Sequence, residues 1–179
     1  NNLRKQTQER VDEAFVGRTK EENRWKVTGV GYPNYPHPAT LTNIYDDFNK
    51  KTANQSGWSI NDFSKPVNLV IKKNVSTLKS LYDWLEELNA KGQGKISDVP
   101  MLMIDDEADN ASINTKKEDL DPTKTNRRIR EILSLFDKSC YVGYTATPFA
   151  NIFINPDAYG DENLREELFP KDFIYCLDA

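Results

Sequence analysis

Histidine occurs once, as His37, and cysteine twice, as Cys140 and Cys176. With one imidazole and no Cys-x-x-Cys pair, a structural zinc site has almost no ligands to draw on. The same scarcity rules out a two-histidine metal site or a His-x-Lys pair. No lysine has an acid two residues before it, so the Asp/Glu-x-Lys triplet of many metal nucleases is also absent. His37, within Tyr35-Pro-His-Pro, reads as a loop residue. Long apolar runs are missing too. The longest, Met101-Leu-Met-Ile104, is far too short to cross a membrane and suits a buried strand. The start is polar and charged, without the pattern of a signal peptide. Positive charge is not in excess either: the net charge is −4, whereas a compact DNA-binding module is usually basic. Any nucleic-acid contact must come from a local patch or from parts outside the chain.

A phosphate-binding loop is lacking as well. That loop needs Gly-x-x-x-x-Gly-Lys-Ser/Thr. The nearest string is Gly92-Gln-Gly-Lys-Ile-Ser, where Asn89 stands at the first glycine's place and Ile96 replaces the hydroxyl residue. It follows a predicted helix instead of preceding one, and so reads as a helix stop. The two cysteines sit in apolar segments that read as strands, which predicts buried thiols in a cytoplasmic protein. The first residue, Asn1, runs almost directly into Leu3, Val11, Ala14 and Phe15, a helix face, as expected of a piece cut from a longer protein.

What is present is a chain of 179 residues, enough for one core. Residues 3–16 read as an amphipathic helix ending near Gly17. Residues 17–66 form a possible variable insert, with a strand near Trp25, an extended proline-rich loop from Tyr32 and a short helix over 41–51. Beyond Pro66, Val67-Asn-Leu-Val-Ile is a strand run. Asn74 or Ser76 then caps a helix with Val75, Leu78, Leu81, Leu85 and Leu88 on its apolar side. Strands are predicted again at Met101–Ile104, Cys140–Tyr144 and Phe173–Leu177, with a helix over 127–136 carrying Ile129, Ile132, Leu133 and Phe136. Alternating strands and helices with continuous apolar strands predict an α/β fold, a mostly parallel sheet with helices on both faces. Chemistry in such sheets lies beyond the carboxyl ends of the strands.

Two motifs sit there. Four apolar residues followed by Asp105-Asp-Glu-Ala-Asp have the layout of a Walker B strand. A rigid strand end could let Asp106 hold Mg²⁺ and Glu107 orient and deprotonate an attacking water. The plain alternative is a solvated acidic loop. After the next strand comes Thr145-Ala-Thr-Pro, whose paired hydroxyls can hydrogen-bond a carboxylate on the neighbouring strand. Asp109 is the natural partner. The alternative, compatible with it, is a helix start with Thr147 as N-cap and Pro148 in the first turn.

Together, Ile104-Asp-Asp-Glu-Ala-Asp109 and Gly143-Tyr-Thr-Ala-Thr-Pro-Phe-Ala-Asn151, about forty residues apart, resemble motifs II and III of superfamily two helicases and translocases. With Asp106-Glu-Ala-Asp-Asn-Ala-Ser-Ile-Asn114 and the opening Asn1-Asn-Leu-Arg-Lys-Gln-Thr-Gln8, the chain is similar to the Z-one domain of putative endonucleases. These are helicase-like ATPases associated with bacterial restriction-modification systems. The resemblance implies one truncated RecA-like domain over residues 1–179, from motif Ia to just beyond motif III. It makes Asp106 the Mg²⁺ ligand, Glu107 the catalytic acid, and Asp109, Thr145 and Thr147 a network coupling the ATP site to interdomain movement. Arg4, with Lys5 as the lesser candidate, would touch a DNA phosphate. Lys72 and Lys73 occupy a similar DNA-facing position. Salt bridging for Arg4 and solubility for the lysines are the plain alternatives. The phosphate loop would lie before Asn1 and a second RecA-like lobe beyond Ala179, so the chain alone would be a poor ATPase. Partners would be DNA and other restriction-system subunits or a nuclease. A competing reading is a non-catalytic scaffold with Tyr32, Tyr35, Trp58 and Phe63 as its interaction surface.

Overall fold

The computed structural model describes residues 2–29, 37–55, 60–88, 94–110, 124–147, 168 and 170–177. The chain divides into two compact units, residues 1–89 and 90–179. Both mix helices and strands, so the protein is mixed α/β. The described strands form three two-stranded sheets, two parallel and one antiparallel.

The first unit opens with helix α1 (Asn2–Val11), which widens into a π-helical turn over Asp12–Val16. Gly17, at φ 73°, ends it and donates to the Asp12 carbonyl at 2.7 Å. The predicted apolar face is not the buried one: Leu3 and Phe15 are exposed, while Gln8, Asp12 and Val16 are buried. An antiparallel hairpin follows, β1 (Arg18–Glu21) with β2 (Arg24–Val27). The short strands β3 (Ala39–Thr40) and β4 (Val67–Asn68) pair in parallel. Between them the helix expected over 41–51 does not form. Asn43 Oδ1 instead accepts the Tyr45 and Asp46 amides at 2.9 and 3.1 Å. That local bond competes with helical hydrogen bonding. Helix α2 starts only at Lys50 and runs to Gln55.

Helix α3 (Val75–Leu88) is capped by Asn74, whose Oδ1 accepts the Thr77 amide at 2.9 Å. Leu78, Leu81 and Leu85 are buried along it, as is Trp84, which meets Phe48 with ring centroids 5.7 Å apart. This stripe at helical spacing forms the core of the first unit together with Ala53 and Ile60.

In the second unit β5 (Met101–Asp106) pairs in parallel with β6 (Ser139–Tyr144), and helix α4 (Lys124–Ser134) lies between them in sequence and packs against β6. Ile129, Ile132, Leu133 and Phe136 are buried, and Ile96 bridges to Phe136 just ahead of the sheet. Ile96 is therefore a core residue in a strand-like bridge, which no phosphate loop could use. Among the described residues, one face of this sheet is covered and the other is open. Leu102 and Ile104 are exposed, so the expected fully buried strand is half-buried. Cys140, in register with Leu102, shares the open face and is exposed, as is Cys176. The expectation of two buried thiols is corrected on that ground. Among the described residues, 173–177 pair with no strand, and Phe173, Ile174, Tyr175 and Leu177 are exposed. Among the described residues no helix is long and apolar enough to cross a membrane.

Candidate functional site

The parallel pairing of β5 and β6 sets Asp105 beside Gly143 and Asp106 beside Tyr144 at the ends of both strands. Successive strand residues alternate between faces. Asp105 turns to the covered face and is buried, accepting the Tyr141 hydroxyl at 2.7 Å. Asp106 lies on the open face and is exposed. Its Oδ1 accepts the amide of Glu107 at 3.1 Å.

Glu107 is also exposed and has φ 55°, a left-handed backbone that is unfavourable by about 1–2 kcal/mol for an L-residue. Hydrogen bonds on either side over-determine this turn. The Ala108 amide donates to the Tyr144 carbonyl at 2.9 Å, and the Asn110 amide donates to the Glu107 carbonyl at 2.8 Å. Ala108 is buried so close to β6 that a Cβ on Gly143 would sit 2.8 Å from its methyl. Gly143 is thus the residue that lets the acidic turn lie down on the neighbouring strand.

Asp109 receives the Thr145 hydroxyl on Oδ1 at 2.7 Å and the Thr147 hydroxyl on Oδ2. The Thr147 amide closes the group by donating to Thr145 Oγ1 at 3.0 Å. Hydrogen bonds to a charged acceptor contribute about 1.5–3 kcal/mol each when sheltered. Here Asp109 and Thr145 are half-buried and Thr147 is exposed, so the lower end applies. The helix start expected at Thr147-Pro148 lies outside the described residues.

The other nominated residues belong to the first unit. Arg4 Nη2 donates to the backbone carbonyls of Asn43 and Ile44 at 2.9 and 3.3 Å, and Nη1 to the Val70 carbonyl at 3.4 Å and to Gln8 Oε1 at 3.5 Å. Its guanidinium thereby ties α1 to the two loops beside it. Lys72 lies 3.8 Å from Asp47 in a partly exposed ion pair, which is worth little. Lys73 is half-buried. His37 places Nδ1 2.8 Å from the Val16 carbonyl, the geometry of a loop-fixing donor. Of the aromatic residues read as an interaction surface, Phe63 is half-buried; Tyr32, Tyr35 and Trp58 lie outside the described residues.

Tyr141 and Gly143 are the site residues that sequence reasoning did not single out. Both had a faint signal. Tyr141 falls on the same strand face as Asp105, and a glycine in a strand marks a close backbone approach. Among the described residues, no three His, Cys, Asp or Glu side chains gather as a metal cluster. No protein-family model, curated protein or solved structure matches the chain.

Proposed function

We propose that this chain is part of an ATP-driven DNA motor of the superfamily two type. In this reading it is an incomplete RecA-like lobe of a cytoplasmic, restriction-associated endonuclease like those with a Z-one domain. The observation that supports the reading best is the clamp of Asp109 by Thr145 and Thr147. Through it one carboxylate ties together the segments beyond two adjacent parallel strands, where ligands bind in open α/β sheets. A local change at the acidic turn would be transmitted directly to the segment after β6.

Asp106 fits a Mg²⁺ site of the sparse kind, because Mg²⁺ keeps several waters and takes only one or two carboxylates besides phosphate oxygens. Bound there, the ion would neutralise charge on the phosphates of ATP. Glu107 would orient the attacking water and accept its proton. Asp109, Thr145 and Thr147 would couple that step to movement against a second lobe. Lys72 and Lys73 are the proposed contacts to the DNA backbone. Arg4 is the weaker candidate, since its guanidinium already bonds four oxygens of the protein. A phosphate loop upstream and a second lobe downstream complete the motor in this reading.

The test is ATP hydrolysis by a polypeptide that joins this chain to such a loop and lobe, with and without duplex DNA. DNA-stimulated turnover that drops by about 10²–10⁴ in Glu107→Gln supports the motor. Equal, negligible turnover in both proteins replaces it with a scaffold whose acidic turn is structural.

A further inference from the structure

The β1–β2 hairpin holds four cations, Arg18, Lys20, Arg24 and Lys26, against Glu21 and Glu22, in a chain whose net charge is −4. Its register sorts the side chains. Cross-strand partners share a face, so Arg18 and Val27, and Lys20 and Trp25, project together. Trp25 is 44% exposed and Val27 54%. The Arg18 guanidinium lies 4.7 Å from the centre of the Trp25 ring, a cation–π contact that orients the indole and concentrates positive charge beside it. Among the described residues Arg18 pairs with no carboxylate, while Arg24, opposite Glu21, projects from the other face. Lys20 reaches Asp46 at 3.7 Å, but the aspartate is 67% exposed, and an exposed pair of that length yields readily to a phosphate.

We propose that this face of the hairpin is a docking platform for single-stranded DNA, in which a base stacks on Trp25 while Arg18 and Lys20 meet the flanking phosphates. An oriented aromatic ring beside cations is the combination that binds single strands without sequence preference. A base within a duplex is already stacked on its neighbours and has no face to offer the indole. The choice of DNA over other polyanions rests on the motor reading; the stacking geometry does not.

The experiment is binding of a labelled oligothymidylate to the full chain by fluorescence anisotropy at low salt, without nucleotide, beside a duplex of equal length. The wild type is expected to prefer the single strand. Trp25→Ala should weaken binding about 5- to 150-fold, the contribution of one stacked base, while Trp25→Phe retains most of it. Lys20→Gln should make the slope of log affinity against log salt shallower by about 0.7, one phosphate contact on a single strand. Circular dichroism on each variant separates lost binding from lost fold. Unchanged affinity in a folded Trp25→Ala, no binding by the wild type, or tighter binding to the duplex overturns the proposal. If Glu107→Gln leaves turnover unaltered while Trp25-dependent binding persists, only the motor reading fails. DNA-stimulated turnover with Trp25-independent binding removes only the platform.

Discussion

Each unit of the protein joins threonine hydroxyl and aspartate in one hydrogen-bonded group, and the two groups differ in what surrounds them. In the first unit Asp12 Oδ1 accepts the Gln8 amide at 2.8 Å, Gln8 Oε1 accepts the Thr42 hydroxyl at 2.9 Å, and Thr42 Oγ1 accepts the Val70 amide at 2.8 Å. Gln8, Asp12 and Thr42 are all at least 99% buried. In the second unit Asp109 holds Thr145 and Thr147 at the half-open rim of a sheet. The chemistry of donors and acceptors is nearly the same. Burial makes the first group a structural tie between α1 and the loops near β3 and β4, whose partners have no water to fall back on. Exposure leaves the second group able to exchange its partners, which a switching element requires. A buried polar network is therefore weak evidence for a functional site, and a half-exposed one at the carboxyl ends of parallel strands is stronger.

The contrast can be broken most forcefully at Gln8. Gln8→Ala removes the amide donor to Asp12 Oδ1 and the acceptor of the Thr42 hydroxyl, and each lost buried partner is expected to reduce stability by about 1–3 kcal/mol in urea unfolding. A loss below 0.5 kcal/mol, on the order of an ordinary surface change, would mean that water satisfies the cluster. At the rim, Gly143→Ala drives a methyl into Ala108 and should lower stability by about 1–3 kcal/mol. Adding Ala108→Gly should restore part of the loss; an additive double variant would show that the two residues do not touch. Thr145→Val removes one hydroxyl bond to Asp109 and should cost only about 0.5–1.5 kcal/mol of stability. In the proposed motor its effect on DNA-stimulated hydrolysis should exceed that. Proportionate losses in both would make the clamp structural, like the cluster around Asp12.

The smallest effect is one of pH. Burial raises the Asp12 carboxyl above its ordinary value of 3.8, and the Gln8 hydrogen bond offsets only part of the rise. The folded protein thus keeps this proton to higher pH than the unfolded chain. Asp12 contributes its full stability below the unfolded value and loses it as pH rises through the raised folded value. Asp12→Asn keeps an accepting oxygen and cannot titrate. The unfolding free energy of the wild type, measured relative to this variant, should fall as pH rises above about 3.8. A difference independent of pH would place a compensating donor on the second Asp12 oxygen.

Much of the local structure could be read in advance. The spacing of Leu78, Leu81 and Leu85 marks α3, and Asn74 marks its start, because periodicity and capping act between residues a few positions apart. The same holds for β5, β6 and α4, although α4 begins at Lys124 instead of 127. The bonds of Thr145 and Thr147 to Asp109 were legible because strand ends on adjacent parallel strands bring such residues together. The failures have a common origin. Leu3 and Phe15 looked like a core face, Cys140 like a buried thiol and Phe173–Leu177 like a strand, and all of these residues are exposed. Apolar character states a preference for burial without saying what covers the residue.

The sequence alone determined the helices and strands with strong periodicity, the absence of a phosphate loop, and the residue types at the two strand ends, since each depends on near neighbours or on composition. Only the tertiary structure decided which sheet face is covered, that Arg4 turns to the carbonyls of Asn43, Ile44 and Val70, that Tyr141 meets Asp105, and that Gly143 makes room for Ala108. Those contacts join residues tens of positions apart. They exist because packing brings the segments together, and nothing in either segment by itself specifies the other.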